Sequence, residues 1–292
     1  MKRASKIVGG LMAGRWFLLV VPHLAVTALI LAVVQLRFLR DSLHADLDLG
    51  RLGGAYTLSN FIRIFSEPVY LDSLRLTLSL SAAAVAIALI VSYPVAYVLT
   101  RMSPKAALPV MTAIVGSSFV SLAIKILGMV IIFAQDGPIN RLLRWTRLST
   151  HGIQIIGTVP GVMFGYLHLS IAFMVIMLYA VIHTIPVRLE EAALVHGESP
   201  FGTFLRVVLP LSLPGVINAG LTQFNLLSGV FVTASILGGG RVLTIPVFIQ
   251  RSLTLFNDYG MSAALSAVLL VLVVAVNLLA GWSARGLATG DA

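Results

Sequence analysis

The stretch from Glu190 to Gly215 reads EEAALVHGESPFGTFLRVVLPLSLPG, and its neighbours on both sides are almost wholly apolar. Pro186 suits the first turn of a helix, with Thr184 nearby as a cap, and the spacing predicts three turns from Val187 to His196, roughly 15 Å. Glu190 and Glu191 fall in the N-terminal half, where carboxylates sit well against the helix dipole. Ala192 and Ala193 leave a smooth face for close approach. Gly197 is placed to end the helix in a left-handed cap, where a Cβ is penalised. Ser199 and Pro200 then restart a helix as cap and first residue. Phe201, Phe204, Leu205 and Val208 form an apolar stripe at helical spacing. Pro210 and Pro214 are expected to end that run as the chain enters the next apolar segment. The product is a short, rigid knob of small and charged residues, suited to a groove on another protein.

The rest of the sequence says what that knob projects from. Of 292 residues, 58% are hydrophobic and only 11% charged, against about 25% charged in a soluble domain. An all-α membrane protein is the reading. Six stretches reach the ~20 apolar residues that a bilayer-spanning helix needs: 16–36, 74–100, 108–134, 159–182, 211–237 and 261–284. The apolar run after MKRASK is too long for a cleaved leader and no small-residue cleavage site follows, so it reads as a retained first span. The connection 37–73 is a polar loop ending in aromatics that suit an interfacial helix or elbow. RLLRWTRLS within 135–157 is a second interfacial piece. GGGRVLTIPVF at 238–248 reads as a glycine turn followed by a short re-entrant or surface segment.

Lys and Arg divide almost evenly between the two sides, so the positive-inside rule alone decides little. The basic start and the short Arg101/Lys105 turn favour an inside N-terminus. Both termini, 1–15 and 285–292, and the 184–210 loop are then cytoplasmic around one membrane domain, 16–284.

Several chemistries are missing. The sequence has no cysteine, hence neither disulfide nor thiolate site. It has no phosphate-binding loop, since Gly238–Gly240 lacks the following lysine, and no H-E-x-x-H or G-x-S-x-G motif. A metal site and bond-making chemistry are not expected. No basic, aromatic-interleaved block calls for nucleic acid; the net charge of +9 reads as a topology and lipid signal. No acidic residue falls within a span, which counts against ion-coupled secondary transport. Inside the spans, Lys125 is the costly residue: it either snorkels or lines a path. His168, Gln223 and Asn225 are further pathway candidates, with helix–helix hydrogen bonding as the alternative for each.

The spacing Glu191-Ala192-Ala193, Gly197, and then Val207, Leu209 and Pro210 nine residues on resembles the E-A-A-x-x-x-G signature of ABC importer permeases, with valine replacing isoleucine. SYPVAYVLTR at 92–101, GPIN at 137–140, ILGGGRVLTIPVFI at 236–249 and the entry around Tyr56–Phe61 resemble the spermidine/putrescine-type branch. One departure is Lys125, which stands without the aromatic cluster that often follows a basic residue there. The resemblance implies a six-helix, type I-like permease whose 184–210 loop couples to a cytoplasmic ATPase dimer. Glu190, Glu191, Ala192, Ala193, Gly197, Pro200 and Pro210 are its coupling residues. ATP and Mg²⁺ are then held on the ATPase subunits, with no cofactor in this chain. A second permease, an extracytoplasmic binding protein and membrane lipids complete the partners. The solute stays open between a polyamine and another small solute such as an organic anion or phosphonate, because span carboxylates that would suit a polycation are lacking.

Overall fold

The computed structural model describes residues 2–47, 51–148 and 152–289, with side chains for 21–45, 53–148 and 152–282. Six helices among these are long and apolar enough to cross a membrane: Val21–Ser42, Pro68–Arg101, Leu122–Trp145, Val159–His183, Pro200–Gly229 and Tyr259–Trp282. Helix α1 (Lys2–Ser42) is continuous through Pro22 and packs mainly along α13 (Tyr259–Thr289). Both run beyond the bounds predicted for their spans. Met1 and the tail beyond Thr289 lie outside the described residues.

The centre is built on α3 (Pro68–Arg101) against α7 (Val159–His183). The buried positions of α3 recur every three or four residues, and several are small: Ser81, Ala84, Ala88, Ser92 and Ala96. Small side chains let two helices approach closely where no hydrophobic force separates helix from lipid. Ser92 accordingly donates to the Ile171 carbonyl at 3.3 Å. Gly165 in α7 serves the same end: a Cβ there would come within 2.3 Å of Thr233 in α11 (Val232–Leu237). Thr158 caps α7, its hydroxyl accepting from the Gly161 N–H at 3.3 Å, with Pro160 in the first turn.

Residues 37–73 depart from a plain polar loop. They hold an antiparallel pair, β1 (His44–Leu47) with β2 (Arg51–Tyr56), followed by α2 (Ser59–Ser66), the expected elbow. Asn60, buried in α2, ties the elbow to the hairpin by donating to the carbonyls of Ser42 and His44 at 3.2 and 2.8 Å. The second piece expected at the interface forms a short helix, α6 (Pro138–Trp145), at the end of the stretch Leu122–Trp145. GPIN finds its reason there: the Asn140 amide donates to the Ala134 and Ile153 carbonyls and accepts from the Ile153 N–H, stapling the segment into place. The glycine turn at 238–240 leads to α12 (Ile245–Arg251) and a π-helical turn, Ser252–Phe256, as a short apolar segment.

Two spans are not single helices. The stretch 108–134 divides into α4 (Pro104–Phe119) and α5 (Leu122–Phe133), separated at Val120–Ser121. Ser117 and Ser118 both donate side-chain bonds to the Ile114 carbonyl, competing with the backbone ladder at the end of α4. The stretch 211–237 divides at Val230–Phe231 between α10 (Leu209–Gly229) and α11. The Val230 carbonyl freed there accepts from the Tyr166 hydroxyl at 3.2 Å.

Candidate coupling site

The loop after α7 forms the predicted knob, with corrections at its ends. Thr184 is not a cap for the next helix; its hydroxyl donates back to Val181 and closes α7. Pro186 is the residue before the first helical one, and α8 runs Val187–Val195. At its C-terminus the N–H of Gly197 bonds Leu194 O at 3.0 Å and that of Glu198 bonds Ala193 O at 3.1 Å. This paired pattern needs a left-handed residue between helix and exit, and Gly197 supplies it at φ +87°. Ser199 then accepts from the Gly202 N–H at 3.0 Å, with Pro200 opening α9 (Pro200–Thr203).

The prolines do not end the helix as expected. After α9 comes a π-helical turn, Phe204–Val208, in which the Leu209 N–H reaches back to the Phe204 carbonyl. Pro210 follows at once and runs on into α10, with Pro214 inside it. A proline has no N–H to give and crowds the carbonyl four residues earlier. The wider turn takes up that misfit, so Pro200–Gly229 stays one apolar rod. Glu198 and Arg206 form an ion pair across this entry.

The two adjacent carboxylates face opposite ways. Glu191 is exposed on α8 together with Ala192, Leu194 and Val195, while Ala193 is half-buried. Glu190 is buried and turned into the bundle. One oxygen accepts from the Tyr97 hydroxyl at 2.7 Å. The other accepts from Arg101 through Nε, at 2.9 Å, and through Nη2. Tyr97 and Arg101 are one turn apart at the end of α3, and the Arg101 guanidinium also lies 5.5 Å from the Tyr97 ring centre. Grouping Glu190 with the outward docking residues is therefore corrected; the motif SYPVAYVLTR holds its two partners.

The intramembrane candidates do not gather at one place. Lys125 in α5 and exposed His168 in α7 lie close enough to interact electrostatically. Gln223 is buried, accepting from Ser170 at 3.1 Å and facing the Met177 sulfur at 3.8 Å. It joins α10 to α7 through these contacts, the arrangement that helix–helix hydrogen bonding takes. Asn225 is exposed and exchanges amide bonds with Asn277 of α13 at 3.1 and 2.7 Å. It lines a crevice of about 560 Å³ with Gln35 of α1 and Ser266 of α13. Asn218 and Thr222 extend Asn225 into an exposed polar stripe along α10 at i, i+4 and i+7. Their spacing was legible in the sequence; that they face outward from an apolar span was not.

Residues 105–289 match the family described as "Binding-protein-dependent transport system inner membrane component". The chain belongs to that family. It is a multi-pass inner-membrane protein and a permease subunit of an ABC importer. Among curated relatives, the spermidine/putrescine transport system permease protein PotB of Haemophilus influenzae is 30% identical over 74% of this chain and 76% of its own length. PotB of Escherichia coli is 29% identical over 80% and 84%. A probable sulfate transport system permease protein of Nephroselmis olivacea is 29% identical over 77% and 78%. Among solved structures, a bacterial ABC transporter involved in import of the acidic polysaccharide alginate aligns with TM-score 0.70 at 18% identity, over 80% of this permease and 84% of that chain. The MetNI methionine ABC transporter aligns with TM-score 0.59 at 16% identity, over 74% and 95%. These two likenesses concern the fold.

Proposed function

We propose that this permease passes a small polyamine across the inner membrane by alternating access, driven by a cytoplasmic ATPase dimer that docks on α8. The observation that carries the reading is the exposed face of α8: Glu191, Ala192 and Val195 stand clear of the bundle on a helix fixed at its exit by the Gly197 turn and the Ser199 cap. Such a face is rigid before it binds, so little order is lost on docking. Glu191, Ala192, Ala193, Gly197, Pro200 and Pro210 are the coupling residues, the two prolines by shaping the entry into α10. The 184–210 loop and both termini lie in the cytoplasm. ATP and Mg²⁺ are bound by the ATPase subunits. A second, distinct permease chain completes the pathway, and an extracytoplasmic binding protein delivers the solute to the side bearing the hairpin and α2.

The relatives named for spermidine and putrescine support the solute class. The exposed amide and hydroxyl stripe Asn218, Thr222 and Asn225 offers oxygens for amine N–H groups where the spans lack carboxylates, and a polar stripe against lipid would be costly. A second reading, an anionic solute, is favoured by the cationic Lys125 within an apolar span and by the sulfate-type relative.

Co-purification of tagged chain in mild detergent tests the coupling, with Gly197→Asp alongside. An ATPase subunit and a second permease retained by the wild type, with the ATPase weakened in the variant, is the expected result. A chain that purifies alone in both preparations removes the coupling reading. ATP-driven uptake into vesicles, with radiolabelled spermidine competed by unlabelled sulfate or putrescine, separates the two solutes.

A further inference from the structure

We infer that Glu190, Arg101 and Tyr97 form a latch that makes α8 move as one body with the end of α3. They are positioning residues for transport rather than part of the surface that meets the ATPase. The inference rests on the coupling role of α8 proposed above.

Glu190 is 7% exposed, and its carboxylate takes three donor groups from α3: the Tyr97 hydroxyl and Arg101 Nε and Nη2. The polarity of both helices suits the pair. Glu190 lies in the first turn of α8 and Arg101 in the last turn of α3, where each charge is favoured by its own helix dipole. The Arg101 and Glu190 side chains are 18% and 10% exposed, so water competes little for either. A solvated surface pair would be an interchangeable tether; this one is shielded and saturated.

The latch also reaches the helix after α8. Phe204, in the π-helical turn, packs edge-on against both Tyr97 and Tyr93, with ring centres 5.4 and 5.5 Å apart. The Tyr93 hydroxyl meets Ser212 Oγ at 2.6 Å. Four segments therefore converge over about two turns of α3, Tyr93 to Arg101: its own end, α8, the π turn and α10. Pro94 lies within this stretch, inside the continuous helix α3, and withholds one hydrogen bond of the ladder there. The missing bond at Pro94 leaves α3 easier to bend there, so its end can follow α8 while the helix stays continuous and packed on α7. A push on α8 then reaches the long central helix through Glu190, as well as along the covalent chain into α10.

The test uses the assembled transporter in proteoliposomes, reading assembly, ATP hydrolysis and solute moved per ATP for each variant. Glu190→Gln with Arg101→Gln removes both charges and leaves no orphan. Tyr97→Phe removes only the hydroxyl. The expected result is that the double variant retains the ATPase subunit and hydrolyses ATP, while solute moved per ATP falls by about fivefold or more. Tyr97→Phe falls in the same direction by less, and Glu190→Gln alone, which leaves Arg101 unpaired, assembles worse than the double variant. An assembled double variant that moves as much solute per ATP as the wild type overturns the latch. So does a loss confined to assembly, with normal transport per assembled complex. Loss of ATPase binding by the double variant would also overturn it, placing Glu190 in the docking surface. Failure of the wild-type chain to retain an ATPase would instead refute the coupling reading beneath it.

Discussion

Gly197 tests whether the knob works through its backbone or through its size. Its φ of +87° is left-handed, and an added Cβ would meet nothing within 4 Å. Alanine there pays only the backbone penalty, about 1–2 kcal/mol. Asparagine is larger but tolerates the left-handed region. The turn is held by the Gly197 and Glu198 N–H bonds to Leu194 and Ala193, the first between exposed residues and the second between half-buried ones. The penalty therefore appears as fraying of the exit from α8, weakening docking by roughly fivefold at 1 kcal/mol and at most about thirtyfold at 2 kcal/mol. Titration of the purified permease complex with its ATPase subunit measures the affinity directly. Gly197→Asn is expected to bind more tightly than Gly197→Ala, despite its extra bulk. Hydrogen exchange at residues 197 and 198 should be faster in the alanine variant than in the asparagine one. An alanine variant that binds as well as asparagine, or better, would refute the backbone argument and mean that room against the partner is what the glycine supplies.

Ser199→Ala removes the bond accepted from Gly202 and should lower stability by about 1 kcal/mol, seen as a lower melting temperature of the complex, with Ser199→Asp restoring it. Lys125→Met should change uptake while leaving assembly intact, as judged by co-purification; unchanged uptake would mean that the amine only snorkels. Replacing Asn218 and Thr222 by leucine should reduce uptake at unchanged expression, whereas an equal effect on assembly would place the stripe against the second permease. Asn140→Leu strips the staple of its bonds to Ala134 and Ile153 and should cost about 1–3 kcal/mol, measured as faster proteolysis between residues 134 and 153.

The membrane spans and the knob were legible because hydropathy, proline and glycine act locally. The Gly197 turn and the Ser199–Pro200 restart needed only neighbours within four residues. What stayed hidden depends on contacts distant in sequence or on competition at one carbonyl. Glu190 and Glu191 are equivalent as letters; only the approach of α3, 89 residues away at Arg101, turns one inward. Gln223 and Asn225 differ in the same way, one facing α7 and the other a crevice. The break at Val120–Ser121 follows two serines that bond one carbonyl, within a run whose apolar character predicts an unbroken helix. Pro210 and Pro214 mark a helix end by rule, yet the π turn before Pro210 absorbs its misfit and α10 runs on through Pro214. The hairpin at 44–56 has short strands with glycines at 53 and 54, too weak a pattern to stand out from loop.

The absence of cysteine from the sequence makes single introduced cysteines clean reporters of what α8 touches. The decisive measurement places one at Val195, the most exposed large apolar side chain of α8 at 85%, and one at Leu58, beside the hairpin, then cross-links each to partners in native membranes. The account predicts that Val195→Cys captures the ATPase subunit, more efficiently with nucleotide than without, and that Leu58→Cys does not capture it. Capture of the ATPase from Leu58, or of no ATPase from Val195 in a transport-active complex, would contradict it.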